Sequence, residues 1–329
     1  MPPTLGGKSF VTMRVLGIST GWISSQRVSR ARGCCGKRGA VTGSEDLEAL
    51  ESARAFSALA GWRVIAVRGT DARAWLQDLV TADVEGILDH RSLRSLLLTP
   101  TGRIRADFHV AAVDDSFLLL QAPEQPEGVD AVLRPYVLSS DVQVEDRTDG
   151  SIVVAVLGDV GLADGLDPVV LTPSVAGPGS DVVCATDGAA GLIERLRASG
   201  LVEVGPADLE MWRIRRGVPR MGVDFGPDAL PAEVGLEGAI DFTKGCFLGQ
   251  ESVAKVRNLG HPRRVLLHVR SDAPIARGFS VLSGEESVGE VTSAAAALQG
   301  VDAIVRVRWD AAREPLATQV GPLVLQNEE

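Results

Sequence analysis

The chain has 329 residues, 45% hydrophobic and 23% charged, with 33 basic against 43 acidic side chains and a net charge of −10. That is the profile of a globular protein, and the length suits two domains or one large domain with an appendage. No run of about 18 apolar residues is available to span a membrane, and the surplus of acid argues against broad contact with nucleic-acid phosphates.

Residues 1–44 carry seven basic and no acidic groups, which leaves 45–329 with a net charge of −17. An Arg- and Ser-rich, acid-free leader has the composition of an organelle transit peptide. The alternative is a start read too far upstream, with Met13 or Val41 as the first residue. Either way 1–44 is expected to be disordered. The Arg-dominated body points to a bacterial cytoplasmic protein, mitochondrial only if the leader is a true transit peptide.

Trp62-Arg-Val-Ile-Ala-Val-Arg68 alternates as a half-buried strand, and Asp71–Val80 repeats apolar residues at helical spacing. Leu96-Leu97-Leu98 runs into a turn at Thr99-Pro100-Thr101-Gly102. Arg103–Val113 is a second alternating strand, joined through Asp114-Asp115-Ser116 to Phe117–Leu120. Glu127–Leu138 reads as a helix, then Val142–Val144 and Ile152–Leu157 as strands. Residues 158–186, rich in Gly, Pro and Asp, read as a loop or insertion. Ala189–Ala198 and Pro206–Arg216 read as helices, followed beyond 264 by short strands at Val265–Val269, Val288–Val291, Ile304–Val307 and Leu323–Leu325. The expectation is an α+β pattern over 45–157 and, from Val265 on, a second domain that is a small β barrel or sandwich.

The four cysteines, Cys34, Cys35, Cys184 and Cys246, lack the spacing of a zinc site or a disulfide scaffold. The body has only two lysines, Lys244 and Lys255, and between them lies Lys244-Gly-Cys-Phe-Leu-Gly-Gln-Glu251. A thiol beside an ammonium group, or near a helix opened by Gln250 and Glu251, gains thiolate character. Gly245 and Gly249 admit backbone shapes closed to other residues. Cys246 is therefore expected to be reactive, whereas Cys184 in Val182-Val-Cys184-Ala reads as a core residue. His261, in Gly260-His261-Pro262, reads as a turn between domains.

This octapeptide resembles the K-G-C-[YF]-x-G-Q-E signature of the YgfZ-type folate-binding proteins. Val67–Ala72 with Trp75-Leu-Gln, Leu98–Ile104 with Asp107, Arg213–Pro219 and Pro231–Leu236 resemble other pieces of the same fold, which also underlies the aminomethyltransferase of the glycine cleavage system. There the motif reads K-G-D-[FY]-[IL]-G, so Cys246 is similar to the YgfZ side.

The resemblance implies two intertwined α+β subdomains over 45–260 forming a ring around a folate channel, with a C-terminal β barrel over 261–329. It implies tetrahydrofolate or a one-carbon derivative as cofactor, and support of iron–sulfur cluster assembly or repair in client enzymes, some of which serve tRNA modification. A pterin edge would be met by Asp107 or Glu233, and a glutamate tail by Lys244, Arg257 or Arg215, with Gln250 and Glu251 completing the binding set. Cys246 and Lys244 would carry the chemistry. One thiol cannot hold a cluster, which takes four thiolates, so no permanently bound cluster is expected. The aminomethyltransferase helix carries a pterin-gripping Glu where this chain has Ile214-Arg215-Arg216-Gly217, which leaves the pterin contact unassigned. The rival readings are a folate-dependent aminomethyltransferase or demethylation module, and a non-catalytic scaffold that keeps the fold.

Overall fold

The computed structural model describes residues 44–158, 169–297 and 299–326. The disorder expected of the leader, and Cys34 and Cys35 with it, fall outside them. After α1 (Ser44–Glu51) the chain lays down β1 (Ala55–Ala58), leaves for a second sheet, and later returns. The second sheet takes β2 (Arg63–Arg68), β3 (Ser92–Leu98), β4 (Ile104–Val113), β5 (Ser116–Gln121) and β6 (Gln143–Asp146) in the order β3-β4-β5-β2-β6. On its return the chain adds β7 (Ser151–Leu157), β8 (Val169–Leu171), β9 (Ser180–Ala185) and β10 (Val202–Glu203) around β1, in the order β10-β1-β7-β9-β8. The first sheet therefore takes chain from both sides of the second.

The second sheet is covered on both faces, which explains the unbroken apolar run at Leu118-Leu119-Leu120. Ile65, Val67, Phe108, Val110 and Leu119 face α2 (Ala72–Leu79) and α3 (Val129–Leu133). Val64, Ala66, Ala111, Leu118 and Leu120 face Val153, Ala155 and Leu157 of the first sheet. That first sheet packs its other side on Leu192 and Leu196 of α4 (Ala189–Ala198). α5 (Pro206–Arg215) and α6 (Gln250–Leu259) follow. The chain ends in a closed barrel, β11-β14-β13-β12-β15-β16, made from β11 (Arg264–Ser271), β12 (Ser280–Ser283), β13 (Glu286–Ala296), β14 (Val301–Arg308), β15 (Leu316–Thr318) and β16 (Gly321–Leu325). Closure leaves no strand edge unpaired.

Two expected elements differ. The helix read over 127–138 is α-helical only from Val129 to Leu133 and finishes as a 3-10 turn over Arg134–Tyr136, because Pro135 cannot donate into a continuing helix. The loop read over 158–186 contains β8 and β9, whose Val169–Leu171 and Asp181–Val183 are paired in register, while 159–168 lie outside the described residues.

Candidate functional site

The octapeptide is anchored at both ends and open in the middle. Asp241 Oδ1 accepts from the Thr243 amide at 2.7 Å and the Lys244 amide at 3.2 Å, a turn that directs the Lys244 side chain inward. Its Nζ donates to the carbonyls of Val80 at 2.7 Å and Ala82 at 2.8 Å. Phe247 is buried with Leu96, Leu98, Leu266 and Ile304, and Leu248 packs on the core beneath α2. Between these anchors Gly245 and Cys246 are exposed.

Gly249 closes the loop with φ 83°, and a Cβ there would meet the Thr99 carbonyl oxygen at 2.5 Å. Gly102, at φ 76°, nests against Ser252 and Val253 in the same contact. Gly245 has no such constraint: its φ is not positive and a Cβ would enter open space. The conformational freedom expected of both glycines is thus required at one.

The ammonium expected beside the thiol is engaged by the Val80 and Ala82 carbonyls. Among the described residues no hydrogen-bond donor reaches Cys246 Sγ, and Lys244 Nζ lies instead 5.4 Å from the centre of the Phe247 ring. Burial brings Lys244 down from 10.5 to about 8, against the pull of Asp83, Asp241, Asp78 and Glu85.

Along α6, Phe242, Gln250, Glu251, Ala254, Arg257 and Asn258 line an open cleft of about 430 Å³. Arg257 lies over the Phe242 ring at 4.2 Å, and Glu251 pairs with Lys255 at 2.9 Å. Three expected binding residues, Gln250, Glu251 and Arg257, therefore share one surface next to the thiol loop. The others are elsewhere. Glu233 Oε2 accepts from the Leu230 amide at 3.0 Å. Arg215 joins Glu51 of α1 at 3.0 Å to Asp302 of β14 at 3.6 Å, a clamp between the body and the barrel. His261 stacks on Trp309 at 5.6 Å where α6 gives way to the barrel, and burial raises the Cys184 thiol pKa.

Asp107 belongs to a polar belt that sequence reasoning did not assemble. Pairing places Ser92, Arg94, Asp107, His109 and Ala111 on one face of the β3-β4 ladder. Arg94 donates to both Asp107 oxygens, at 2.9 and 2.6 Å, and to the Pro219 carbonyl at 2.9 Å. Apolar packing continues on either side, with Leu96 and Ile104 in one core and Ala111 and Leu118 in the other.

Across from this ladder Arg220 bridges Glu124 at 3.2 Å and Glu210 at 3.0 Å. Arg213 binds Glu210 and the fully buried Asp224. Glu210 is an acid on the same helix, about one turn before the Ile214–Gly217 stretch. His109 Nδ1 and Ser92 Oγ are buried with no hydrogen-bond partner among the described residues. Burial lowers the His109 pKa to about 4, so the ring is neutral at pH 7. Unpaired buried polar atoms on one face mark where a polar ring would find partners, and the Arg94–Asp107 pair beside them suits the donors and acceptors of a pterin. Among the described residues no group of three or more His, Cys, Asp or Glu could hold a metal ion, and no helix is long and apolar enough to cross a membrane.

Comparison with known proteins gives a consistent set. The family model of the GCVT N-terminal domain matches residues 44–160. The putative chloroplastic transferase At1g60990 of Arabidopsis thaliana is 24% identical over 76% of this chain and 63% of its own. The mitochondrial iron-sulfur cluster assembly factor IBA57 homolog of Pyricularia oryzae is 30% identical over 64% of this chain and 56% of its own. The tRNA-modifying protein YgfZ of Photobacterium profundum is 26% identical over 64% and 68%. The chain thus spans less than two thirds of the first two relatives. Among solved structures, the glycine cleavage system aminomethyltransferase T of Bartonella henselae superposes with a TM-score of 0.73 at 21% identity, over 85% of this chain and 88% of that one.

Proposed function

We propose that the chain, GcvT-like in fold and similar to YgfZ-type proteins, binds a reduced folate and uses the Cys246 thiol to support iron–sulfur cluster assembly or repair in client enzymes, some of them serving tRNA modification. The observation that carries this reading is the mounting of Cys246: exposed, yet held between a half-buried lysine and a buried phenylalanine. A thiol so placed is accessible to a client and fixed in position.

Ser92 and His109 offer unsatisfied hydrogen-bonding atoms to a pterin edge, and Arg94 and Asp107 orient one another beside them. Neutral His109 can donate or accept through Nδ1 according to tautomer. Of the three cations expected for a glutamate tail, Lys244 is committed to backbone carbonyls and Arg215 to carboxylates. Arg257 is exposed, lies over the Phe242 ring and has Glu237 as a charged neighbour. A reduced folate, when bound, supplies a one-carbon carrier or reducing equivalents. Cys246 supplies a nucleophilic sulfur to the client.

The rival aminomethyltransferase reading predicts turnover of an amine substrate with tetrahydrofolate, and the scaffold reading predicts no folate binding. Titration with tetrahydrofolate, followed by tryptophan fluorescence, separates them. Wild type saturates and His109→Ala weakens binding tenfold or more, whereas Cys246→Ser binds as wild type does and no amine is consumed. Absence of saturation in wild type overturns the reading.

A further inference from the structure

We propose that Lys244 is a built-in cation that fills a carbonyl pocket at the end of α2 and thereby positions the Cys246 loop, so that its role is to mount the thiol rather than to bind a ligand. The proposal rests on the reading above only in taking Cys246 as the working group.

α2 ends at Leu79 with Val80 as its C-cap, and the last carbonyls of a helix have no partner within it. A cation is favoured there both by the free carbonyl oxygens and by the negative end of the helix. Lys244 Nζ satisfies the Val80 and Ala82 carbonyls together. The surroundings complete a cation hole: Asp78 of α2, Asp83 and Glu85 of the segment after it, and Asp241 from the motif side all act on Nζ. The Phe247 ring lies on the same ammonium. The nearby Arg73 is committed to the Val84 and Glu85 carbonyls.

Two backbone bonds bracket this contact. The Asp241 amide donates to the Thr81 carbonyl at 2.9 Å, and the Leu248 amide donates to the Asp78 carbonyl at 3.1 Å. Between them Lys244 is the one side chain for which a hydrogen bond to the 78–82 segment is recorded. Without it, the six residues 242–247 that carry the thiol would hang between two amide bonds and the Phe247 side chain. A lysine suits the task because its ammonium brings three donors on a flexible stem, enough for both carbonyls at once.

Hydrogen exchange at the Leu248 and Asp241 amides, with Val305 in the barrel core as internal reference, tests the mounting without folate, client or cluster. Iodoacetamide alkylation of Cys246 is measured alongside. Lys244→Met is expected to raise exchange at Leu248 tenfold or more and to shift the alkylation rate severalfold, with Val305 unchanged. Lys244→Arg, which keeps charge and donors, is expected to restore both. Methylammonium added to Lys244→Ala is expected to recover protection that tetramethylammonium does not. Wild-type protection at Leu248 together with an unchanged alkylation rate in Lys244→Met overturns the proposal. So does failure of both Arg and methylammonium to restore what the substitution loses. If Cys246→Ser left client enzymes fully active, the functional reading would fall while these results stood on their own.

Discussion

Gly249 and Thr99 approach so closely that a Cβ on the glycine would sit 2.5 Å from the threonine carbonyl oxygen. The motif that bears the thiol and the turn at the end of β3 are therefore packed backbone to backbone. Gly249→Ala must relieve both this clash and a φ of 83°, and it is expected to cost about 2–3 kcal/mol in urea unfolding. Gly245→Ala, facing open space, is expected to stay within about 0.5 kcal/mol of wild type. Equal losses at the two positions would contradict the assigned packing.

Asp107 and Arg94 form a buried pair with side chains 8% and 15% exposed. Removing one partner strands the other charge, so Asp107→Ala is expected to destabilise by about 3 kcal/mol, while the double variant Asp107→Leu with Arg94→Met recovers most of it. A double-mutant cycle by thermal or urea unfolding measures the coupling. Additive losses would show that the pair contributes nothing beyond its separate members.

Two buried groups respond to pH in opposite senses. His109 falls from 6.5 to about 4, so between those values the unfolded chain binds a proton that the folded chain refuses; its contribution is full above 6.5 and lost as pH falls toward 4. Asp181, buried although Ser174 and Val175 donate to it, rises from 3.8 to about 7; its contribution is full below 3.8 and lost as pH rises toward 7. In wild type the two slopes largely offset one another. His109→Gln is expected to leave a protein that loses stability with rising pH, by up to about 3 kcal/mol, and Asp181→Asn one that gains it. Urea midpoints from about pH 4.5 to about pH 6.5 read the slopes, and parallel profiles for the two variants would refute the assignment.

Arg215 clamps α1 to the barrel through Glu51 and Asp302. Arg215→Met is therefore expected to lower stability by about 1–2 kcal/mol and to leave tetrahydrofolate affinity as it was. Calorimetric titration of the variant would place Arg215 in the binding site if affinity fell tenfold.

What was legible in the sequence depended on how locally the information is written. The motif stood out because Lys244 and Lys255 are the only lysines of an arginine-using body and bracket a cysteine between glycines. The long strands β2 and β4 and the helix over Ala189–Ala198 followed from periodicity. β1 did not, since Ala55–Ala58 is too short to show a period, and β8 was hidden in a stretch whose Gly and Pro content reads as a loop. The spaced short strands left barrel and sandwich open, and the family resemblance implied the barrel that the structure shows closed.

The site divides in the same way. The partner of Lys244 was unreadable because a backbone carbonyl has no residue identity, so an ammonium expected beside the thiol turned out to serve Val80 and Ala82. The polar belt was missed because Arg94, Asp107, His109, Glu210 and Arg220 come from separate segments, and only strand register and the return of α5 bring them together. The one local hint was Glu210 three residues before Arg213, a helical spacing that pairs them.

Cluster content and activity of iron–sulfur enzymes in a strain carrying Cys246→Ser in place of wild type test the central claim most directly, with folate affinity of the purified variant measured in parallel. The account predicts that client activity falls toward that of the deletion strain while tetrahydrofolate still binds with wild-type affinity. Full client activity in the Cys246→Ser strain would contradict it.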